Sequence, residues 1–271
     1  MIAIEIRKLF RRPRTWLTIA MLDALPTVVA ILLAITHLGP RPGQGPAFLS
    51  AVLANGSLFS VAALAIVLPL FLPIAVAVVA GDSIAGEAQG GTLRYLLVRP
   101  VGRTRLLVAK LVSVFAFVGV AVVVVAATGF VVGRLLLGNE PLSAAVTSVS
   151  GSTLTPTQIA LRTVFAIGYV AFSMLGVAAI ALFLSTVTDS SLTASLGALA
   201  VLIGSSLLLT LDASHAIQPY LPTRYWLSFI DLFRDPILWR NVLRGIGLQA
   251  IYVAVSLGAA WANFATKDVT S

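Results

Sequence analysis

The chain has no cysteine, which excludes a disulfide framework, a thiolate metal site and a thiol nucleophile. Charge is scarce as well. Asp, Glu, Lys and Arg make up 10% of its 271 residues, where soluble domains carry roughly a quarter. The two histidines, His37 and His215, are isolated and show no His-Glu-x-x-His spacing, so the pattern offers no metal site. No Gly-x-x-x-x-Gly-Lys-Ser/Thr occurs either. Gly90-Gly91 is followed by Thr92 and Leu93, with no lysine to reach a phosphate, so the chain is not expected to hydrolyse nucleotides by itself.

What is present is apolar: 59% hydrophobic residues and a mean hydropathy of +1.02. Most of such a chain is dissolved in lipid. The formal net charge of +8 does not point to nucleic acid, because the basic residues flank apolar runs and form no stripe on a soluble face. A spanning helix needs about 20 mainly apolar residues. Six runs supply them: Trp16 to Leu38, Leu58 to Ala80, Leu106 to Gly133, Leu161 to Leu184, Leu192 to Leu211 and Gly245 to Phe264. The first is too long for the apolar core of a secretory signal, about 7 to 15 residues, and Asp23 and Pro26 interrupt it. It is therefore expected to remain as a span. Pro69 and Pro73 predict a kink in the second run.

The expected fold is an all-α, six-span membrane domain covering residues 1–271. Arg7, Lys8, Arg11, Arg12 and Arg14 crowd the start of the chain, and basic residues before the first span usually hold that end in the cytoplasm. Both termini are then cytoplasmic. Residues 1–14, where Ile2, Ile4, Ile6, Leu9 and Phe10 alternate with Glu5, Arg7 and Lys8, read as a helix lying in the headgroup region, with membrane lipid as its partner. The outer segment 212–244 holds Tyr220, Tyr225, Trp226 and Trp239 among three prolines. It reads as short amphipathic pieces in an aromatic belt that dip back toward the bilayer. Residues 39–56 and 138–158, rich in Pro, Gly, Ser and Thr, read as irregular loops.

Within the spans only Asp23 is a carboxylate well inside the apolar run, about 10 Å from its start at 1.5 Å per residue. An intramembrane carboxylate is a functional candidate by default. It either lines a cargo path or pairs with an arginine or hydroxyl during assembly. Small residues recur at helix-face spacing as Gly168, Ala171, Gly176 and Ala179, and again as Gly197, Gly204 and Ser205. Their use is close helix approach, within the chain or between two copies.

The densest chemistry lies in residues 82–105, between the second and third runs. Gly90-Gly91 ends the incoming helix, Thr92 is suited to cap a short helix through Leu97, and Pro100 disfavours helical geometry at Arg99. Leu93, Leu96 and Leu97 recur at helical spacing, leaving Arg94 available to a partner. The alternative for this stretch is a solvated interfacial turn.

Glu87, Gly91, Thr92, Leu93, Leu96 and Leu97, then Arg99-Pro100-Val101, Arg103 and Lys110, form a pattern that resembles the permease subunits of type-2 ATP-binding-cassette exporters. Leu221-Pro222-Thr223-Arg224-Tyr225-Trp226, Asp231-Leu232-Phe233 and the closing Lys267-Asp268-Val269-Thr270 look like that family too. The resemblance implies two six-span subunits, here a homodimer, paired with two soluble ATPase subunits that bind ATP and Mg, so this chain holds no cofactor of its own. It implies that the loop after the second span is a coupling helix. Its contacts are Glu87, Gly91, Thr92, Leu93, Arg94, Leu96, Leu97 and Arg103, with a second, smaller ATPase contact at Asp189. The cargo is an antibiotic, a lipid or a peptide. The excess of Arg over Lys, with abundant Ala and Val, suits a high-GC bacterium and hence a bacterial plasma membrane. The rival is a nucleotide-independent secondary transporter or assembly scaffold; a secondary transporter usually carries several ionisable groups at midplane, where this sequence has Asp23 alone.

Overall fold

The computed structural model describes residues 2–36, 56–91, 103–137, 146–147, 150 and 152–266. Helix α1 (Ile2–Arg11) meets α2 (Pro13–Thr36) at a sharp joint. Pro13 opens α2, where a missing N–H costs nothing. The last carbonyls of α1 are met by Thr15 Oγ1, which donates to the Leu9 carbonyl at 2.7 Å, and by Trp16 Nε1, which donates to the Phe10 carbonyl at 2.9 Å. A 3₁₀ turn (Gly56–Leu58) leads into α3 (Phe59–Val67). The chain then breaks over Leu68 to Leu70 before α4 (Phe71–Gln89). The break falls at Pro69, which has no N–H for the helical ladder, whereas Pro73 sits in the first turn of α4 where proline is tolerated. The predicted kink is thus a full interruption: the expected run Leu58 to Ala80 is divided between α3 and the first half of α4, and α4 runs on to Gln89.

Helices α5 (Arg103–Leu136), α6 (Pro156–Val187), α7 (Ser191–Leu208) and α8 (Trp239–Thr266) complete the bundle. Six helices among the described residues are long and apolar enough to cross a membrane. The fold is an all-α integral membrane protein, with one two-residue antiparallel pair, β1 (Val146–Thr147) with β2 (Thr153–Leu154), inside the segment expected to be wholly irregular. Helix α6 starts at a capping box: Thr155 Oγ1 accepts from the Gln158 N–H while Gln158 Oε1 accepts from the Thr155 N–H. That reciprocal pair satisfies two donors left open at a helix start. Helix α6 is also the hub, packing on α4, α5, α7 and α8, and the most buried of the six. Fully buried Met174, Val177 and Leu182 hold that position.

The last span begins at Trp239, earlier than the expected Gly245. Arg240 and Arg244 lower the local hydropathy, yet both side chains are exposed at the helix end, so the helix accommodates them at no burial cost. Ahead of it come three 3₁₀ turns, Asp212–Ser214, Gln218–Tyr220 and Trp226–Phe233. These turn back into the bundle. Trp226, Phe229, Leu232 and Phe233 are buried against α6 and α8, and the Pro222 carbonyl accepts from Gln249 Nε2 at 2.7 Å. Gln249 lies ten residues into α8, about 15 Å along its axis.

Candidate functional site

One end of the bundle collects the start of α1, the end of α4, the start of α5, the end of α6, the start of α7 and the end of α8. Polar contacts fasten these ends to each other. Trp261 Nε1 donates to Thr104 Oγ1 at 2.9 Å, and Asn263 Nδ2 donates to the Thr186 carbonyl at 2.9 Å. Gln89 Oε1 accepts from both the N–H and the hydroxyl of Ser191 at 3.4 Å. The end of α4 and the start of α7, just after the short turn that carries Asp189, are thereby joined, about a hundred residues apart in sequence.

At the centre of this end lies a buried ionic cluster. Lys110 of α5 is 4% exposed and places Nζ 2.7 Å from Glu5 Oε2 of α1 and 2.5 Å from Glu87 Oε1 of α4. Lys8 Nζ, half in solvent, lies 2.7 Å from the same Glu87 oxygen. Two cations and two carboxylates balance. The desolvation cost of a buried charge is met only by close, hydrogen-bonded partners, and each buried member here has one. A weaker, exposed pair joins Arg12 Nη1 to Asp82 Oδ2 at 3.1 Å; pairs of that kind contribute about 0 to 1 kcal/mol.

One turn above Glu87, the fully buried Ser185 of α6 presses its hydroxyl into the backbone of α4. Its Oγ accepts from the N–H of Ala85 at 2.8 Å and of Ile84 at 3.1 Å, and donates to the Gly81 carbonyl at 2.7 Å. Gly81 and Ala85 are the two ends of one helical rung, so a side chain bridges the ladder there, a known cause of local bending. The cluster and this bridge place the last two turns of α4 under the control of α1, α5 and α6.

The residues expected to meet a partner are distributed unevenly. Glu87 is 6% exposed and engages lysines of its own chain, so its carboxylate points into the bundle. Gly91 ends α4 with φ 65°, a conformation glycine adopts freely. Asp189 is exposed in the turn between α6 and α7. Arg103 begins α5. Thr92, Leu93, Arg94, Leu96 and Leu97 lie outside the described residues, as does His37. His215 is exposed at a 3₁₀ turn, and among the described residues no group of three His, Asp or Glu side chains is placed to hold a metal ion. Reading the sequence missed Glu5 and Ser185. Glu5 carried a signal, being the sole acid in a cationic terminal helix; Ser185 carried none.

Asp23 is half-buried in α2, with Oδ1 unpartnered, and its backbone carbonyl accepts from Thr27 Oγ1 at 2.7 Å. It does not line the two cavities described, which sit at opposite ends of the bundle. Asp23→Asn, which retains hydrogen bonding while removing the charge, is expected to leave folding and any transport within about twofold of wild type. Transport assay and gel filtration of the variant check this; loss of transport with an intact fold would instead give the carboxylate a place on the cargo path.

Residues 1–205 match the family model described as ABC-2 family transporter protein. The chain belongs to that family, and it is a multi-pass transmembrane permease of an ABC transporter. The match ends in α7, so the tail beyond, including Leu221 to Trp226, lies outside it. Comparison with curated proteins gives no match.

Proposed function

We propose that this permease is a subunit of an ATP-driven exporter in a bacterial plasma membrane, with cytoplasmic termini, acting as a homodimer with two copies of a separate ATPase. The observation that supports this reading most is that the end of α4 and the start of α7 meet at one end of the bundle through Gln89 and Ser191. An ATPase seated against that end meets both elements at once. Its movement reaches the spans through α4, whose last turns are gripped by Lys110 and Ser185. ATP and Mg belong to the partner, and this chain contributes the path and the lever. Thr92→Pro is expected to leave an inserted dimer whose transport is lost and whose ATPase binding is weakened, because it removes the hydroxyl cap that starts the coupling helix. Copurification of the ATPase and transport in the same membranes measure this. Wild-type values for both would reduce the loop to a solvated turn.

Orientation has its own test. Single cysteines on this cysteine-free background at positions 90 and 271 should be shielded from an impermeant thiol reagent applied outside intact cells, and those at 44 and 150 labelled. Outside labelling of position 90 would invert the assignment.

A further inference from the structure

A cavity of about 280 Å³ opens beside the ionic cluster, between the α1–α2 joint and α7, with α4 and α5 as its floor. Helix α2 packs on α5 and α3, while α7 packs on α4 and α6, so the face of α4 between them is left as a cleft. Its lining is divided. One side carries Lys8, Arg12, Arg14 and Lys110 against Glu5, Asp82 and Glu87, one positive charge in excess. The other carries Val78 and Leu192, both largely exposed on helices that span the membrane.

The donors left for a ligand are few. The hydroxyls of Thr18, Ser83, Ser113 and Ser195 are spent on helix carbonyls of their own segments. Lys8 and Lys110 are committed to carboxylates, and Arg12 uses one N–H on Asp82. Arg14 has no ion-pair partner among the described residues, and its guanidinium retains a planar fork suited to bidentate contact with a phosphate. An occupant therefore needs an anionic head for Arg14 and Arg12 and an apolar body to lie along Val78 and Leu192.

We propose that this cleft seats an anionic phospholipid, its phosphodiester held by Arg14 and the free edge of Arg12 and its acyl chains running out past Leu192 into the bilayer. The cavity is the size of a headgroup with its first carbons, and the excess positive charge selects against zwitterionic headgroups. The site requires the membrane fold alone and is independent of the direction of transport.

Native mass spectrometry of the full-length protein, released from detergent and titrated with phosphatidylglycerol or phosphatidylcholine, tests the assignment. Wild type should retain phosphatidylglycerol in preference, and Arg14→Gln should lower that retention about tenfold by removing charge-assisted hydrogen bonds. Leu192→Asp, on the apolar wall, should lower it as well by repelling the anion. Arg11→Gln, which changes an exposed cation outside the cleft, should retain lipid as wild type does. Three results would overturn the proposal: equal retention of the two lipids, equal loss in Arg11→Gln and Arg14→Gln, or displacement of phosphatidylglycerol by millimolar glycerol phosphate. The last would make a soluble phosphate the occupant. Gel filtration of each variant establishes that the fold survives.

Discussion

Lys110→Met is expected to destabilise the protein by about 3 to 5 kcal/mol, the cost of leaving buried charge without its partner. The substitution keeps the length and bulk of the side chain, so what is lost is the ammonium. Glu5 and Glu87 would then face each other across a site that is 4% exposed at Lys110, with only the half-exposed Lys8 to offset them. Breaking a buried pair and deleting it whole differ in sign and size. A triple variant, Glu5→Gln with Glu87→Gln and Lys110→Met, is therefore expected to recover most of the lost stability. Thermal inactivation of the purified protein in one detergent measures both. Equal stability of Lys110→Met and wild type would show that the cluster is filled by water and contributes little. The triple variant separates stability from coupling, because it restores packing without restoring the ionic link between α1, α4 and α5. If it is stable and transports normally, the link is structural and the lever lies elsewhere.

How far the sequence could be read follows from which interactions are local. Hydropathy is summed over about 20 residues, so the six spans are legible while their ends are displaced, most of all in the second, which runs past the expected Ala80 to Gln89, and next at Trp239, where arginines hide the first turns of α8. The break at Pro69 was legible because proline acts on its own backbone. The pairing of Lys110 with Glu5 was not, since it joins residues 105 apart, and nothing in either neighbourhood encodes the partner. Glu87 stood out within the motif, and the expectation was an outward contact; the structure turns it inward because two lysines lie on that side. Terminal helix α1 shows the same limit. Its Ile2 and Ile4 are exposed as expected of a lipid-facing side, but the charged side that was read as meeting headgroups places Glu5 and Lys8 on the bundle. The coupling segment itself, Thr92 to Leu97, rests on resemblance and on cap chemistry.

The same limit governs the small residues and sets the last expectation. Periodicity identified Gly168, Gly176, Gly197 and Gly204 as close-approach positions, and only some are used within the chain. Gly176 meets Gln249 of α8, while Gly168 and Gly204 have open space before them. The least yielding approach is elsewhere. A methyl at Gly133 would overlap the carbonyl oxygen of Gly56 and the Cβ of Phe59, and one at Gly56 would overlap the carbonyl of Gly133. Backbone meets backbone there, so no rotamer change relieves the clash. Gly133→Leu is expected to cost about 3 kcal/mol or more, at the upper end of overpacking penalties, and to separate α3 from α5. Gly204→Leu fills open space and is expected to leave the folded subunit unchanged. Thermal inactivation and gel filtration of both variants check these outcomes. A shift from dimer to monomer in Gly204→Leu, with the subunit still folded, would place the contact between two copies on the outer face of α7, because a residue facing only lipid accepts a leucine without effect on assembly.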